Sequence, residues 1–296
     1  MPAGMRMPDQ EQLKEELMAI ITISRGSMSG GMAFAECLAK TLDYPSLARE
    51  ILVQAAGKLG VSEEKLRGKI EKSARFWERM TSDRRIYLIA LQSALADACV
   101  EGNLVYHGHA GHLLLKDMPN VFRVRLIAPM AARIREVMER QGLNYASARD
   151  YIRLVDEERV RWTKFVYGLD WRDPRNYDIV INLGNISIST ACSMVAAAVS
   201  LPAFAATEEV KKQLRDYALA CRIKVALAAN AKSAAITFEV RADDGNVEVF
   251  GEIATTGVLI RQAGPSEEEV RLIVRTVEGV KGVAVNLRKF PEFAEP

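Results

Sequence analysis

Ile20-Ile21-Thr22-Ile23-Ser24-Arg25-Gly26-Ser27-Met28-Ser29-Gly30-Gly31-Met32 is the stretch of sequence that decides the fold. Its β-branched beginning predicts a buried strand. The part from Arg25 to Gly31 is rich in glycine and serine and predicts a tight turn, and apolar residues at helical spacing follow as far as Leu42. Where a strand, a turn and a helix meet in this way, backbone N–H groups converge at the positive end of the helix and favour an anion. The residues predicted to cradle a phosphate are Gly26, Ser27, Ser29, Gly30 and Gly31.

The turn departs from the nucleotide-binding pattern GxxxxGK[ST], in which a Lys contacts the β- and γ-phosphates and a hydroxyl binds Mg²⁺. Counted from Gly26, the pattern places Met32 and Ala33 where the Lys and the hydroxyl belong. Counted one residue earlier, both side chains are still missing. Two interpretations therefore stay open: a phosphate cradle made of backbone N–H groups, or a turn that only requires small residues.

The pattern of strand-like and helix-like segments along the chain predicts two domains. Strand-like and helix-like segments alternate up to Leu201, which favours an α/β domain with a parallel sheet and helices on both faces. Within it, Asn144 is expected to cap a long polar helix. From Thr207 a small α+β domain is predicted. The predicted boundaries are an N-terminal extension at 1–18, the α/β domain at 19–201, a linker at 202–206, the α+β domain at 207–290 and a tail at 291–296.

Composition excludes several classes of protein. Of the 296 residues, 49% are hydrophobic and 26% are charged, which is typical of a globular chain and not of a disordered or collagenous one. The 40 basic and 38 acidic residues nearly balance, so the charge gives no argument for a nucleic acid partner. The most apolar stretch, Met194 to Ala206, is shorter than the roughly 20 residues of a spanning helix. The four cysteines form no CxxC pair and are typical of reduced, buried thiols, which predicts a cytoplasmic protein.

Short motifs follow one another in a consistent order over about residues 18–200. They are Ile21–Arg25 with Ser29–Gly31, Val105–Gly111, Leu115–Val121, Ala128-Pro129 with Arg133, Val155–Arg159, Tyr167–Trp171, Asp173-Pro174 and Tyr177–Asn182. In this order they resemble the cytidylate-kinase-like family of P-loop kinases. The predicted α+β domain resembles a BON domain through its long helix, the strand Val247–Gly251 and the ending Gly279–Val283.

The family resemblance implies a nucleoside monophosphate kinase core that uses ATP and Mg²⁺ to phosphorylate CMP or dCMP. In the family, arginines of a lid helix clamp the phosphates. Arg149, Arg153, Asp156 and Arg159 are spaced by four, three and three residues and therefore share one helix face. Arginine suits bidentate binding of phosphate, Asp156 is expected to orient these arginines, and Arg133 is expected to reach the site from its own helix. The alternative is a solvated face with ordinary ion pairs.

Several departures from the family pattern remove charge. Met32 stands where the family has Arg, Ala48 where it has Asp, and His109 where it has Arg. Such groups neutralise charge in the transition state of phosphoryl transfer. Arg25 and His109 are expected to supply part of the missing positive charge.

All three histidines stand in one stretch, at His107, His109 and His112. Imidazole is a common metal ligand, but no nearby cysteine completes the four ligands of a structural site. The prediction is therefore phosphate contact or packing, with no metal site assigned.

Three hypotheses follow for function. The first is a cytidylate-kinase-like protein that binds ATP and CMP or dCMP and transfers a phosphoryl group. The second is a catalytically inactive pseudokinase, a nucleotide-responsive regulator that acts through its BON-like domain on a protein or lipid partner. The third is an interaction protein in which both sites are vestigial.

Overall fold

The computed structural model describes residues 18–48, 81–108, 110–116, 118–255 and 264–291. These residues form two compact units. The first contains 18–48 and 101–211, and the second contains 81–100 together with the described residues from 212 onward. The segment 81–100 therefore belongs to the second unit, although the strands on either side of it in the chain belong to the first.

Eight strands and eight helices, with two short 3₁₀ turns, are found in the described residues. The strands are β1 (Ile20–Arg25), β2 (Ser46–Ala48), β3 (Leu104–His107), β4 (Val121–Ile127), β5 (Ile179–Asn182), β6 (Phe238–Asp243), β7 (Asn246–Thr255) and β8 (Gly282–Pro291). The helices are α1 (Gly31–Leu42), α2 (Thr81–Ala98), α3 (Gly111–Leu114), α4 (Met130–Gln141), α5 (Tyr145–Tyr167), α6 (Ile188–Val199), α7 (Glu208–Ala229) and α8 (Glu267–Arg275). The 3₁₀ turns are Pro174–Asn176 and Pro202–Phe204.

A five-stranded parallel sheet forms the centre of the first unit. Its strands lie in the order β2-β3-β1-β4-β5, and each neighbouring pair is parallel. The central strand β1 is buried along Ile20–Ile23, as expected for a strand that is covered on both faces. The predicted α/β domain with a parallel sheet is confirmed, although the three-residue strand β2 was not predicted.

Helices α1 and α6 supply much of the core beside the central strands. Phe34 and Leu38 of α1 pack in one cluster with Val195 and Val199 of α6 and with strand residues such as Val124. This cluster fixes the helix that begins at the glycine-rich turn.

A second, smaller cluster joins α4 and α5. Ile134 and Val137 of α4 pack against Ala148 and Ile152 of α5. The predicted N-cap of α5 is also observed: Asn144 accepts a hydrogen bond from the backbone N–H of Ser147 at 2.9 Å, which satisfies one of the free donors at the helix start.

The residues predicted as a linker pack against the first unit. The Met18 N–H donates to the Phe204 carbonyl at 3.0 Å. The Phe204 ring meets the Phe122 ring edge-on, with 5.5 Å between their centroids.

The second unit contains a three-stranded mixed sheet in the order β6-β7-β8. β6 and β7 are antiparallel, and β7 and β8 are parallel. One face packs on α7 and α8, with Ile223, Val249 and Val274 in the core. A capping box between Ser266 and Glu269 fixes the start of α8. The predicted order of a long helix, two strands, a helix and a final strand is therefore confirmed.

Arg85 joins helix α2 to the residues just before β6. Its guanidinium donates to the carbonyls of Ala234 and Ile236, at 2.7 and 2.5 Å, and to the Thr237 hydroxyl at 2.9 Å. Partial burial lowers the pKa of Arg85. Further along α2, Gln92 donates to the Tyr217 hydroxyl at 2.7 Å. None of the helices in the described ranges is long and apolar enough to cross a membrane.

Candidate phosphate-binding site

The carboxyl ends of β1, β3 and β4 meet at one edge of the sheet. Ile23 of β1 pairs with His107 of β3 on one side and with Val124 of β4 on the other. In open α/β sheets, ligands bind in the crevice outside the carboxyl ends of the strands. The turn that follows β1 opens at this edge.

The turn places free backbone donors at the start of α1. Gly30 is the N-cap residue of α1, with a φ of 73°, and no side chain caps the helix. The first N–H groups of a helix have no partner within it, and their partial positive charge attracts an anion. Ser29 is only 2% exposed, and its hydroxyl has no hydrogen-bond partner among the described residues. A buried polar atom without a partner is uncommon, and here it fits a ligand oxygen.

Two glycines of the turn lie directly against neighbouring side chains. A Cβ at Gly26 would lie 3.0 Å from the Ser29 hydroxyl and 3.2 Å from the guanidinium carbon of Arg133. A Cβ at Gly31 would lie 1.8 Å from Cδ of Arg25, so the Arg25 side chain runs directly across the start of α1. The structure therefore places the side chains of Arg25 and Arg133 beside the loop.

The N–H and the carbonyl of Ser27 are both hydrogen-bonded to side chains. Its N–H donates to one oxygen of Asp156 at 3.0 Å, and its carbonyl accepts from Nε of Arg133 at 2.6 Å. Arg133 and Asp156 close the network with an ion pair of 2.6 Å. These three residues come from the loop, α4 and α5, so the network joins both helices to the loop.

Of the four residues predicted to line one face of α5, two contact the strand β1 and its loop and two do not. Asp156 contacts the loop, and Nη1 of Arg159 donates to the Arg25 carbonyl at 2.9 Å. Arg149 instead pairs with its neighbour Asp150 at 3.2 Å, and Arg153 is exposed. Asp156 was expected to orient the lid arginines, whereas its described hydrogen bonds go to Ser27 and Arg133.

His109 lies outside the described residues, while His112 is buried beside the loop strand. Its Nδ1 is 2.9 Å from the Ser24 hydroxyl, and its ring lies 4.6 Å from the Tyr177 ring, centroid to centroid. Burial, followed by the charges of Arg123 and Arg125, lowers the pKa of His112 to about 3. His112 is therefore a neutral packing residue at pH 7.

Sequence reasoning missed the group formed by Arg125, Trp171 and Tyr177. The Arg125 guanidinium lies 5.1 Å from the Trp171 ring centroid and 5.8 Å from that of Tyr177. The Tyr177 hydroxyl donates to the Trp171 carbonyl at 2.6 Å, and burial raises the pKa of Tyr177 to about 12. Trp171 and Tyr177 carried a signal in the sequence, since they belong to the motifs Tyr167–Trp171 and Tyr177–Asn182. Arg125 carried none, because it stands in an ordinary strand pattern.

The loop fits a phosphate better than it fits a bare metal ion. In the part of the chain that the structure describes, no three His, Cys, Asp or Glu side chains are grouped as metal ligands. Asp156 is already paired with Arg133. Uncapped N–H groups, a buried hydroxyl and two arginines are instead the donors that an oxyanion requires.

The sheet order and the glycine-rich loop after the central strand define a P-loop kinase-like α/β fold. The sequence of residues 20–185 matches the Cytidylate kinase-like family. This match covers more than half of the chain, and the chain belongs to that family.

Individual relatives agree with this assignment. The chain is 28% identical to the cytidylate kinase of Sulfurisphaera tokodaii over 179 residues, which cover 60% of this chain and 93% of that protein. It is 28% identical to the cytidylate kinase of Ignicoccus hospitalis over 168 residues, which cover 56% and 90%. Among solved structures, an uncharacterized protein from Eubacterium ventriosum has a TM-score of 0.50 at 22% identity and covers 62% of this chain and 98% of that one. This last similarity shows the fold alone.

Proposed function

We propose that this protein binds nucleoside phosphates at the loop Gly26–Gly31 and transfers a phosphoryl group from ATP to CMP or dCMP. The observation that carries the proposal is the buried Ser29 hydroxyl without a partner, at the uncapped start of α1. The choice of nucleotides is supported by the relatives, which are cytidylate kinases.

Each group of the loop has a role in this proposal. Backbone N–H groups and the Ser29 hydroxyl donate to phosphate oxygens, and Arg25 and Arg133 neutralise charge beside Gly31 and Gly26. Phosphoryl transfer depends mostly on positioning and on stabilising charge, so arginines next to the loop replace part of what the missing Lys would supply. Bound together with ATP, Mg²⁺ would neutralise phosphate charge.

A second function is favoured by Met32 and Ala33, which stand where the pattern GxxxxGK[ST] has its Lys and its hydroxyl. In this alternative the protein binds nucleotide without turnover and acts as a regulator. Its output passes through the α+β domain at residues 207–290, which we propose to be BON-like and to contact a protein or lipid partner. The helix and strand order of that domain supports the resemblance.

Calorimetric titration with ATP, CMP and dCMP, each with and without Mg²⁺, followed by a turnover assay in the same buffer, tests the proposal. Binding with turnover supports the kinase, and saturable binding without turnover supports the regulator. No binding at millimolar concentration of any of the three contradicts both.

The Ser29→Ala variant tests the role of the Ser29 hydroxyl in binding ATP. We expect ATP affinity to fall by roughly three- to tenfold, as for the loss of one hydrogen bond, with the melting temperature unchanged or slightly higher because an unsatisfied buried hydroxyl is removed. Ser193→Ala is the matched control, since the Ser193 hydroxyl is exposed on α6 and donates to the Ser189 carbonyl. Equal ATP affinity in wild type and Ser29→Ala would contradict the role of this hydroxyl.

A further inference from the structure

A carboxylate of the protein binds a backbone donor of the glycine-rich loop. Oδ1 of Asp156 accepts the Ser27 N–H at 3.0 Å, although 129 residues separate the two in the sequence. Amide groups of such loops are donors for anions. Asp156 is therefore an anion that already uses one backbone donor of the loop.

The same carboxylate also neutralises a cation beside the loop. Oδ2 of Asp156 pairs with Nη2 of Arg133 at 2.6 Å, and the Arg133 and Asp156 side chains are 10% and 22% exposed. Nε of Arg133 is occupied by the Ser27 carbonyl. One carboxylate thus engages both a backbone donor and a guanidinium that a bound phosphate would use.

We propose that Asp156 is an internal competitor of the nucleotide phosphate, so that binding requires the phosphate to displace Asp156 from Ser27 and Arg133. This inference rests on the proposed phosphate binding at the loop and adds its regulation. A carboxylate and a phosphate repel each other at such short range, so the two anions do not share these donors.

Displacement of Asp156 couples the loop to helix α5. Asp156 and Arg159 lie one turn apart on α5, and Arg159 donates to the Arg25 carbonyl. When the phosphate replaces Asp156, the helix loses the first of these two contacts with the loop. Because coupling between binding sites is reciprocal, anything that holds Asp156 on Ser27 lowers nucleotide affinity, and nucleotide loosens α5.

Two variants of the full-length chain test the proposal. Asp156→Ala removes the competitor, and Asp156→Asn keeps its size but removes its charge. Glu157→Ala and Glu157→Gln are the matched controls, because Glu157 is the next residue of α5 and its exposed carboxylate is 4.0 Å from Arg161. The probes are inorganic phosphate and ATP, measured by calorimetry.

We expect both Asp156 variants to bind phosphate and ATP about tenfold more tightly than wild type, and the Glu157 variants to bind like wild type. In ligand-free Asp156→Ala, hydrogen exchange of the Ser27 amide is expected to be at least tenfold faster. Phosphate is expected to raise the melting temperature of Asp156→Ala more than that of wild type, because it supplies an anion to the unpaired Arg133.

The outcomes separate this inference from the proposed function. If wild type binds ATP and both Asp156 variants bind it equally well or more weakly, the competition is overturned and the proposed function stands. Unchanged exchange of the Ser27 amide in Asp156→Ala also overturns it. Absence of binding by wild type together with binding by the Asp156 variants supports the competition and contradicts the proposed function of the wild-type chain, and absence of binding by all of them overturns both.

Discussion

At the scale of single residues, His112 shows how burial determines chemistry. Its ring lies between the Ser24 hydroxyl and the Tyr177 ring, and the nearby charges of Arg123 and Arg125 further disfavour the imidazolium. The sequence presents His112 as one of three clustered histidines that could bind a metal or a phosphate. Its surroundings in the fold instead keep it neutral.

The lowered pKa of His112 predicts a pH-dependent stability. The folded-state pKa is about 3 and the ordinary value is 6.5, so between these values the unfolded chain binds the proton and the folded chain does not. His112 therefore lowers the free energy of unfolding as the pH falls below 6.5, by about 1.4 kcal/mol per pH unit. Above pH 6.5 this effect is absent.

The His112→Asn variant, measured by denaturant unfolding from pH 7.5 to 4.5, isolates this effect. Asn keeps a polar atom near the position of Nδ1 and does not titrate. We expect a lower stability than wild type at pH 7.5, because ring packing is lost, and a shallower decline toward pH 4.5. Identical slopes in the two proteins would contradict a His112 that is neutral in the folded state.

At the scale of elements, Arg85 links α2 to a segment far along the chain. One guanidinium satisfies carbonyls just before β6, and each of these acceptors lies about 150 residues further along the chain. Replacing the side chain leaves partly buried carbonyls without their donor, and unsatisfied polar groups of this kind are costly.

We expect Arg85→Ala to destabilise the second unit by about 1–3 kcal/mol and to speed hydrogen exchange in β6 and at the residues just before it. Arg215→Ala is the control, because Arg215 is exposed on α7 of the same unit. Exchange mass spectrometry of the full chain measures both. Protection of residues 234–243 that is unchanged in Arg85→Ala would show that α2 is held by other contacts.

Elements with strong local signals could be predicted from the sequence. The β-branched run before the glycine turn, the apolar spacing of α1 and the cap at Asn144 are each encoded within a few neighbouring residues. The short strand β2 could not be predicted, since three residues carry no periodicity. The pairing of Asp156 with Ser27 and of Arg85 with Ile236 could not be predicted either, because tertiary packing alone brings these residues together.

At the scale of the whole molecule, the first unit and the family match do not coincide. The match covers residues 20–185, yet residues 81–100 within it belong to the second compact unit. Tyr87, Leu91 and Leu95 of α2 are buried, and Gln92 bonds to Tyr217 of α7. A chain cut after residue 206, at the predicted linker, would leave α2 without these partners.

We therefore expect a fragment of residues 1–206 to leave Arg85 and Gln92 of α2 without their hydrogen-bond partners. Compared with the full chain, it should bind more of the dye ANS, aggregate at lower temperature and lose protection of α2 in hydrogen exchange. Light scattering and dye fluorescence measure these changes. A monomeric fragment with a cooperative melting transition and a protected α2 would contradict this expectation.

The position of α2 also has a consequence for synthesis on the ribosome. Helix α2 is complete about 140 residues before the acceptors of Arg85 are translated, which corresponds to roughly 7–30 s at ordinary elongation rates. During that interval Arg85 and Gln92 lack the partners that they have in the folded chain. The hydrogen bonds that hold α2 are therefore completed only after the residues that lead into the C-terminal sheet have emerged.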